Sequence, residues 1–199
     1  VLTTPFTNAV YTAAYDAGSN FVGSVPSYFY VTNTVGVPAT ASATNGLLLS
    51  GWKAGNGLLV GTNATASNSI PIQVLPGTPW GTVTLTPGTP FLLANGAAVS
   101  AVTSSVVYDR ATNLLTNAYF TVAGSLGLTV TNADLDGATP GVQVATGAGG
   151  TLAFHVQSGL QNGLASVWAN SLAGSANGLT NVMIDAGPVF TQVQSFESN

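Results

Sequence analysis

The chain has 199 residues, of which only 4% are charged, and its two basic and six acidic side chains give a formal net charge of −4. Soluble domains usually carry about 25% charged residues, so the polar surface must be built from Thr, Ser, Asn, Gln and Gly. Two basic residues are too few to neutralise a nucleic-acid backbone, and no apolar run is long enough to span a membrane; we therefore expect neither nucleic-acid binding nor membrane insertion.

The N-terminal segment, residues 1–15, alternates between two sets of side chains over an unusual length, which is typical of an extended β-strand. Residues 16–20, Asp-Ala-Gly-Ser-Asn, then suit a flexible turn. Such a strand can pair within its own domain or complete an open groove of the next subunit. Both arrangements require a period of two, so the alternation does not distinguish them. We predict an extended strand and hinge over 1–20 and a single β-sandwich domain over 21–199. The face that would enter a groove carries Leu2, Phe6, Val10 and Ala14.

The rest of the chain alternates with a period of two between Gly and Pro residues, which predicts short, half-buried strands. Five Asn-Gly dipeptides indicate tight hairpin turns. Residues 160–172 have apolar spacing that would also suit a helix. The pattern indicates an all-β fold, a β-sandwich of jelly-roll-like or Ig-like type with an extended N-terminal strand. The predicted strands are 28–35, 47–52, 69–74, 80–86, 98–108, 118–122, 126–131, 141–146, 150–157, 179–184 and 189–196.

Residues for catalysis are scarce. The single histidine, His155, falls on the polar side of the strand predicted over 150–157, where a hydrogen-bonded surface residue is a more ordinary role than a general base. No Gly-x-Ser-x-Gly elbow, clustered zinc ligands or phosphate-binding Gly-rich loop occurs. We therefore expect the chain not to be an enzyme.

Asn132, Asp134 and Asp136, followed by Gly137, match the first half of a calcium loop, in which side-chain oxygens at alternate positions meet one hard cation. The second half does not match, because Gln143 stands where a bidentate Glu is expected. A solvated turn that uses Asn and Asp for their turn propensity is the alternative. Calcium is thus the one cofactor that the sequence suggests, and we expect no other.

Two features concern surface chemistry. Asn63, in Asn63-Ala64-Thr65, is a single acceptor triplet for N-linked glycosylation. Tyr28, Phe29 and Tyr30 are consecutive, so they must point to both faces of a strand. Aromatic side chains that face outward could stack on sugars, although in a β-sandwich they more often pack inside.

The alternating N-terminal strand, the Thr/Asn/Gly/Val-rich body and the near absence of charge resemble the extracellular β-sandwich filaments of archaea and bacteria, the threads and bundling pili assembled by donor-strand exchange. The resemblance implies a self-assembling subunit of an extracellular filament or pilus, linked head to tail by its N-terminal strand. Copies of the chain would then be its partners, together with neutral glycans or cell surfaces. A start at Val1 without a charged leader fits an exported, cell-surface protein. Two alternatives stay open: a carbohydrate-binding or adhesive β-sandwich module, and a viral jelly-roll coat protein.

Overall fold

A computed structural model of the protein describes residues 2–4, 6–32, 41–43, 47–51, 53–64, 66–131 and 142–187. Every regular element within these residues is a β-strand, so the predicted all-β fold is confirmed. None of them forms a helix long and apolar enough to cross a membrane. The contacts divide the chain into two compact units, the first formed by Val1–Gly81 with Tyr108–Leu115 and the second by Thr82–Val107 with Thr116–Asn199.

The described residues of the first unit form nine strands. Five form one sheet in the order β1-β9-β8-β5-β6, and two further pairs are β2-β7 and β3-β4. The bounds are β1 Leu2–Thr3, β2 Phe6–Val10, β3 Ala13–Tyr15, β4 Phe21–Ser24, β5 Ser27–Val31, β6 Ala41–Ala43, β7 Leu47–Gly51, β8 Gly55–Thr62 and β9 Ser67–Leu75.

In the part of the second unit that the structure describes there are also nine strands, which form a four-stranded sheet in the order β10-β12-β16-β14 and a five-stranded sheet in the order β11-β18-β17-β13-β15. From β10 to β17, consecutive strands thus alternate between the two sheets as in an immunoglobulin-like sandwich, so the structure matches the Ig-like one of the two predicted types. The bounds are β10 Leu85–Pro87, β11 Phe91–Leu93, β12 Val99–Ser104, β13 Tyr119–Gly124, β14 Thr129–Thr131, β15 Val142–Ala145, β16 Ala153–Gln157, β17 Gly163–Ser171 and β18 Asn177–Asp185.

The core of the second unit is filled by side chains from both sheets. Period-two alternation sends Val102, Phe154 and Val156 inward from one sheet and Phe120 and Val167 from the other, and each is at most 1% exposed. Fully burying an aliphatic or aromatic side chain contributes about 1.5–3 kcal/mol. Apolar burial therefore stabilises the packing of the two sheets of this unit.

The five-stranded sheets of the two units have the same internal order. In each, the edge strand that comes first in the chain pairs in parallel with the last strand of the unit, β1 with β9 and β11 with β18. The last two strands form an antiparallel hairpin in the same register, from Gly55↔Val74 to Thr62↔Ser67 in one unit and from Gly163↔Ile184 to Asn170↔Asn177 in the other. A structural duplication is therefore present, although no sequence period is visible along the chain.

Three local predictions need correction. The helical alternative for 160–172 is wrong, because most of this stretch is β17, which pairs with both β13 and β18. Asn56-Gly57 and Asn177-Gly178 lie inside strands rather than in hairpin turns, since cross-strand pairing overrides the local turn preference; Asn95-Gly96 does lie in a turn, with Gly96 at φ 71°. The strand predicted over 80–86 is reduced to β10, which begins at Leu85. The strand predicted over 189–196 lies outside the described residues.

Candidate functional site

The predicted donor segment is divided in the structure into three short strands, β1, β2 and β3. They pair with β9, β7 and β4 of the same chain. Of the four named side chains, Val10 is half-buried and packs against the buried Phe29 and Leu59, and Ala14 is half-buried. Leu2 lies in β1 and Phe6 in β2. Their exchange between subunits stays a prediction, as does the domain boundary after residue 20.

The other predicted sites are the calcium loop and the glycosylation triplet. Asn132, Asp134 and Asp136 lie outside the described residues, and the described part of the chain holds no group of three His, Asp or Glu side chains placed to bind a metal ion. Asn63 lies in the turn between β8 and β9, where its carboxamide oxygen accepts from the Ala66 N–H at 2.9 Å. Glycosylation at Asn63 and calcium binding stay predictions.

His155 lies in the middle of β16, between β12 and β14, opposite Ala101 and Thr131. It is half-buried, whereas its neighbours Phe154 and Val156 are buried. This is the polar side of the strand, as the alternation predicted. The prediction that the chain is not an enzyme stays a prediction.

Exposed aromatic side chains are concentrated in the first unit. The rings of Tyr15 and Phe21, each 63% exposed, meet edge to face across β3 and β4 with their centroids 5.8 Å apart. On β5, Tyr28 and Tyr30 are 45% and 37% exposed on either side of the buried Phe29, so the prediction that this run points to both faces is confirmed. We call Tyr15, Phe21, Tyr28 and Tyr30 the aromatic set of the first unit.

Two adjoining clefts of about 170 and 430 Å³ open in the first unit. Both are lined by Thr12, Ala13, Gly61 and Asn68, and we refer to them together as the first-unit cleft. A side chain at Gly61 would come within 3.1 Å of the Thr12 methyl group, so glycine lets β8 approach closely there. The lining residues are all uncharged, which suits an apolar or neutral polar ligand.

A buried carboxylate, Asp109, ties together distant parts of the first unit. One of its oxygens accepts from the Thr4 hydroxyl and from the Gly77 N–H at 2.7 Å. The same oxygen also accepts from the Asn113 side-chain amide at 2.9 Å. The other oxygen accepts at 2.8 Å from each of the backbone N–H groups of Ala111 and Asn113. These hydrogen-bond donors replace the water molecules that the carboxylate loses on burial.

The electrostatics of Asp109 follow from these contacts. It is 3% exposed, and burial acts to raise the pKa of its carboxyl group. Hydrogen bonds from Thr4, Gly77 and Asn113 outweigh burial and hold the pKa below its usual value. Asp109 is therefore ionised at neutral pH and serves as an anchor of the fold rather than as an acid.

Sequence reasoning did not find Asp109. The spacing from Asp109 to Asn113 is a local turn signal, but the contacts with Thr4 and Gly77 join residues separated by 105 and 32 positions. The neighbouring Arg110 lies over the Trp80 ring, 5.2 Å from its centroid, a cation–π contact that is likewise invisible in the sequence.

Comparisons with known proteins bear on the fold. No protein-family model and no curated protein matches the chain. Among solved structures, it is similar to the Escherichia coli adhesin FdeC, with a TM-score of 0.58 and 15% identity over 92% of this chain and 60% of that one. It also matches invasin, a bacterial integrin-binding protein, with a TM-score of 0.48 and 15% identity over 92% of this chain and 40% of that one. The chain thus spans less than two thirds of these proteins, and the FdeC likeness agrees with the β-sandwich fold.

Proposed function

We propose that the chain is a non-catalytic, extracellular β-sandwich segment that acts at the cell surface as an adhesive module. The observation that carries this proposal is the aromatic set of the first unit, which leaves large rings exposed on a chain that is 4% charged. Exposed apolar rings on a chain with so few charges are suited to contact with an uncharged partner, because few ions have to be desolvated. The similarity to FdeC supports the proposal of an adhesive module, since FdeC is an adhesin.

Neutral glycans fit this surface best. Tyr and Phe offer a flat apolar face to the C–H groups of a sugar ring, and Thr, Ser and Asn, which are frequent in this chain, can hydrogen-bond to its hydroxyls. Tyr15 and Phe21 form the strongest candidate contact, because their rings meet edge to face while most of each side chain stays exposed.

The test is a glycan-array and cell-binding assay with the paired variant Tyr15→Ala and Phe21→Ala. We expect binding to fall by at least about tenfold, which corresponds to about 1.4 kcal/mol, with an unchanged melting temperature. The matched control replaces two exposed aromatic residues of the second unit, Phe91 and Tyr119, with Ala. Equal binding by the two double variants would contradict the assignment of the aromatic set.

A second candidate function is the self-assembling filament subunit linked by its N-terminal strand. The placement of β1 favours it, because among the described residues β1 is a two-residue edge strand that pairs with Val74 and Leu75 of β9. A short edge strand forms few main-chain hydrogen bonds with its sheet, although its donation would also break the contact of Thr4 with Asp109.

Negative-stain imaging of a variant that lacks residues 1–15 tests this candidate. Donation of the N-terminal strand predicts filaments from the full chain and none from the shortened one. Normal filaments from the shortened chain would exclude N-terminal donation. The third alternative, a viral coat protein, gains no support from any described feature.

A further inference from the structure

The first-unit cleft borders the beginning of β9. In the second unit, the beginning of β18 is the equivalent position. The shared hairpin register places Ser67, the first residue of β9, in correspondence with Asn177, the first residue of β18. Asn68 then corresponds to Gly178. The two units can therefore be compared residue by residue at this edge.

In the second unit a chain segment covers this edge. Thr82 forms a parallel bridge to Asn177, and the Val83 N–H donates to the Asn177 carbonyl at 2.7 Å. A side chain at Gly178 would lie 2.6 Å from the Val83 carbonyl oxygen, so the segment passes directly over the glycine. It continues into β10, which pairs with β12 and completes the sheet.

In the first unit no described residue occupies this position. β1 pairs with the last two residues of β9 only, and Asn68, Ser69 and Ile70 at the other end are exposed, with Ile70 54% exposed. Within the described residues, β2 pairs with β7 alone. The cleft between residues 10–15 and the beginning of β9 is thus where a covering strand would lie.

We propose that the first-unit cleft binds residues 189–196 of a second copy of this chain as an added strand. The proposal shares self-assembly with the second candidate function above, but it assigns the donated strand to residues 189–196 instead of the N-terminal segment. A strand added at an edge gains main-chain hydrogen bonds, and its alternate side chains fill the cleft.

The occupant is identified by its place in the sequence. After β9 the chain passes Gly77 and Pro79 and enters Thr-Val-Thr-Leu-Thr over 82–86, which covers the edge of the second unit. After β18 it passes Gly187 and Pro188 and enters Val-Phe-Thr-Gln-Val-Gln-Ser-Phe over 189–196. The second segment has the same alternating, uncharged character, and it follows the strand that corresponds to β9. It matches the uncharged lining of the cleft.

The two units differ at the position of Asn68 and Gly178, and this difference can be used to test the proposal. Asn68 carries a side chain where Gly178 has none, so an incoming strand cannot approach β9 as closely as residues 82–85 approach β18. Asn68→Gly should remove this obstacle. A synthetic peptide of residues 188–199 should then bind the Asn68→Gly protein about tenfold more tightly than the unaltered protein, which corresponds to about 1.4 kcal/mol.

Disulfide trapping tests the occupant directly, because the chain contains no cysteine of its own. One preparation carries Ser69→Cys at the cleft, and a second, affinity-tagged preparation carries Thr191→Cys. Mixed under mild oxidation, they should form a covalent heterodimer in several-fold higher yield than Thr191→Cys mixed with Ser175→Cys, an exposed control position in the second unit. The 188–199 peptide should reduce the yield, and a scrambled peptide should not.

Two outcomes would overturn the proposal. The first is an equal yield with the Ser69→Cys and Ser175→Cys acceptors. The second is a higher yield when the donor is Thr3→Cys rather than Thr191→Cys, which would identify the N-terminal segment as the occupant. Neither readout depends on glycan binding, so failure of the adhesive function would be recognised separately.

Discussion

The two units share a sheet order but are stabilised differently. The described core of the second unit is apolar and closed, with Phe120, Phe154 and Leu152 at most 1% exposed. The first unit has fewer buried apolar side chains among its described residues, a cleft at one edge and a buried carboxylate, Asp109, that joins its distant segments. The comparison teaches that one topology can be held either by apolar packing or by a polar anchor, and that the second solution leaves surface available for binding.

The largest expected effect lies in the apolar unit. Phe154→Ala removes a fully buried ring and should lower the free energy of unfolding by about 3–5 kcal/mol, because the cavity left behind collapses only in part. Urea unfolding monitored by circular dichroism measures the change. Phe91→Ala, at a ring that is 67% exposed, is the control and should shift the free energy by less than about 0.5 kcal/mol. Equal losses in the two variants would contradict the assigned core.

The polar unit should respond to Asp109→Asn, with a loss of about 3 kcal/mol at neutral pH, because an amide cannot accept all the hydrogen bonds that the carboxylate receives. A Trp168→Phe background removes the tryptophan of β17, so that the fluorescence of Trp80 reports on the first unit. An unchanged unfolding midpoint would show that Asp109 is not an anchor.

Because the Asp109 carboxylate stabilises the first unit only when it is ionised, we expect acid to lower the stability of that unit. The pKa of Asp109 in the folded chain lies below its ordinary value of 3.8. The contribution of Asp109 to the free energy of unfolding is therefore fully present above pH 3.8 and is lost as the pH falls through the folded pKa. Asp109→Asn should abolish this acid-dependent loss. Asp16, whose pKa is also lowered by hydrogen bonds from Asn20 and Gly18, is exposed, so Asp16→Asn is the matched control and should leave most of the loss in place.

A smaller effect is expected at the covered edge of the second unit. Gly178→Ala would place a methyl group 2.6 Å from the Val83 carbonyl oxygen and should cost about 1–3 kcal/mol through strain. The control is Gly149→Ala, where an added Cβ meets nothing within 4 Å. If thermal melts show no difference between these variants, residues 82–85 do not cover β18 as described.

The smallest effect concerns the contact of Arg110 with Trp80. Arg110→Ala should lower the free energy of unfolding by about 0.5–1 kcal/mol, the usual size of an exposed cation–π contact. Arg110→Lys keeps the charge and should retain part of the contribution. Chemical denaturation at low and high salt separates this contact from a general effect of net charge.

The sequence predicted the β-sandwich because period-two alternation reports directly which residues face the core, as at Phe154 and Val156. It did not reveal the duplicated units, because corresponding positions such as Asn68 and Gly178 share a register and not a residue type. Nor did it reveal Asp109, because its partners Thr4 and Gly77 are brought to it only by the fold. The side chains of the aromatic set were visible in the sequence, whereas their exposure depends on the register of β3, β4 and β5.

Hydrogen–deuterium exchange of the full chain, followed at residues 67–70 and 177–180, tests the difference between the two units most directly. At low protein concentration we expect the beginning of β9 to exchange much faster than the beginning of β18, because only the latter is covered and packed on a closed core. As the concentration rises, a second copy should protect residues 67–70 and leave 177–180 unchanged. Equal protection of the two edges at low concentration would contradict the account.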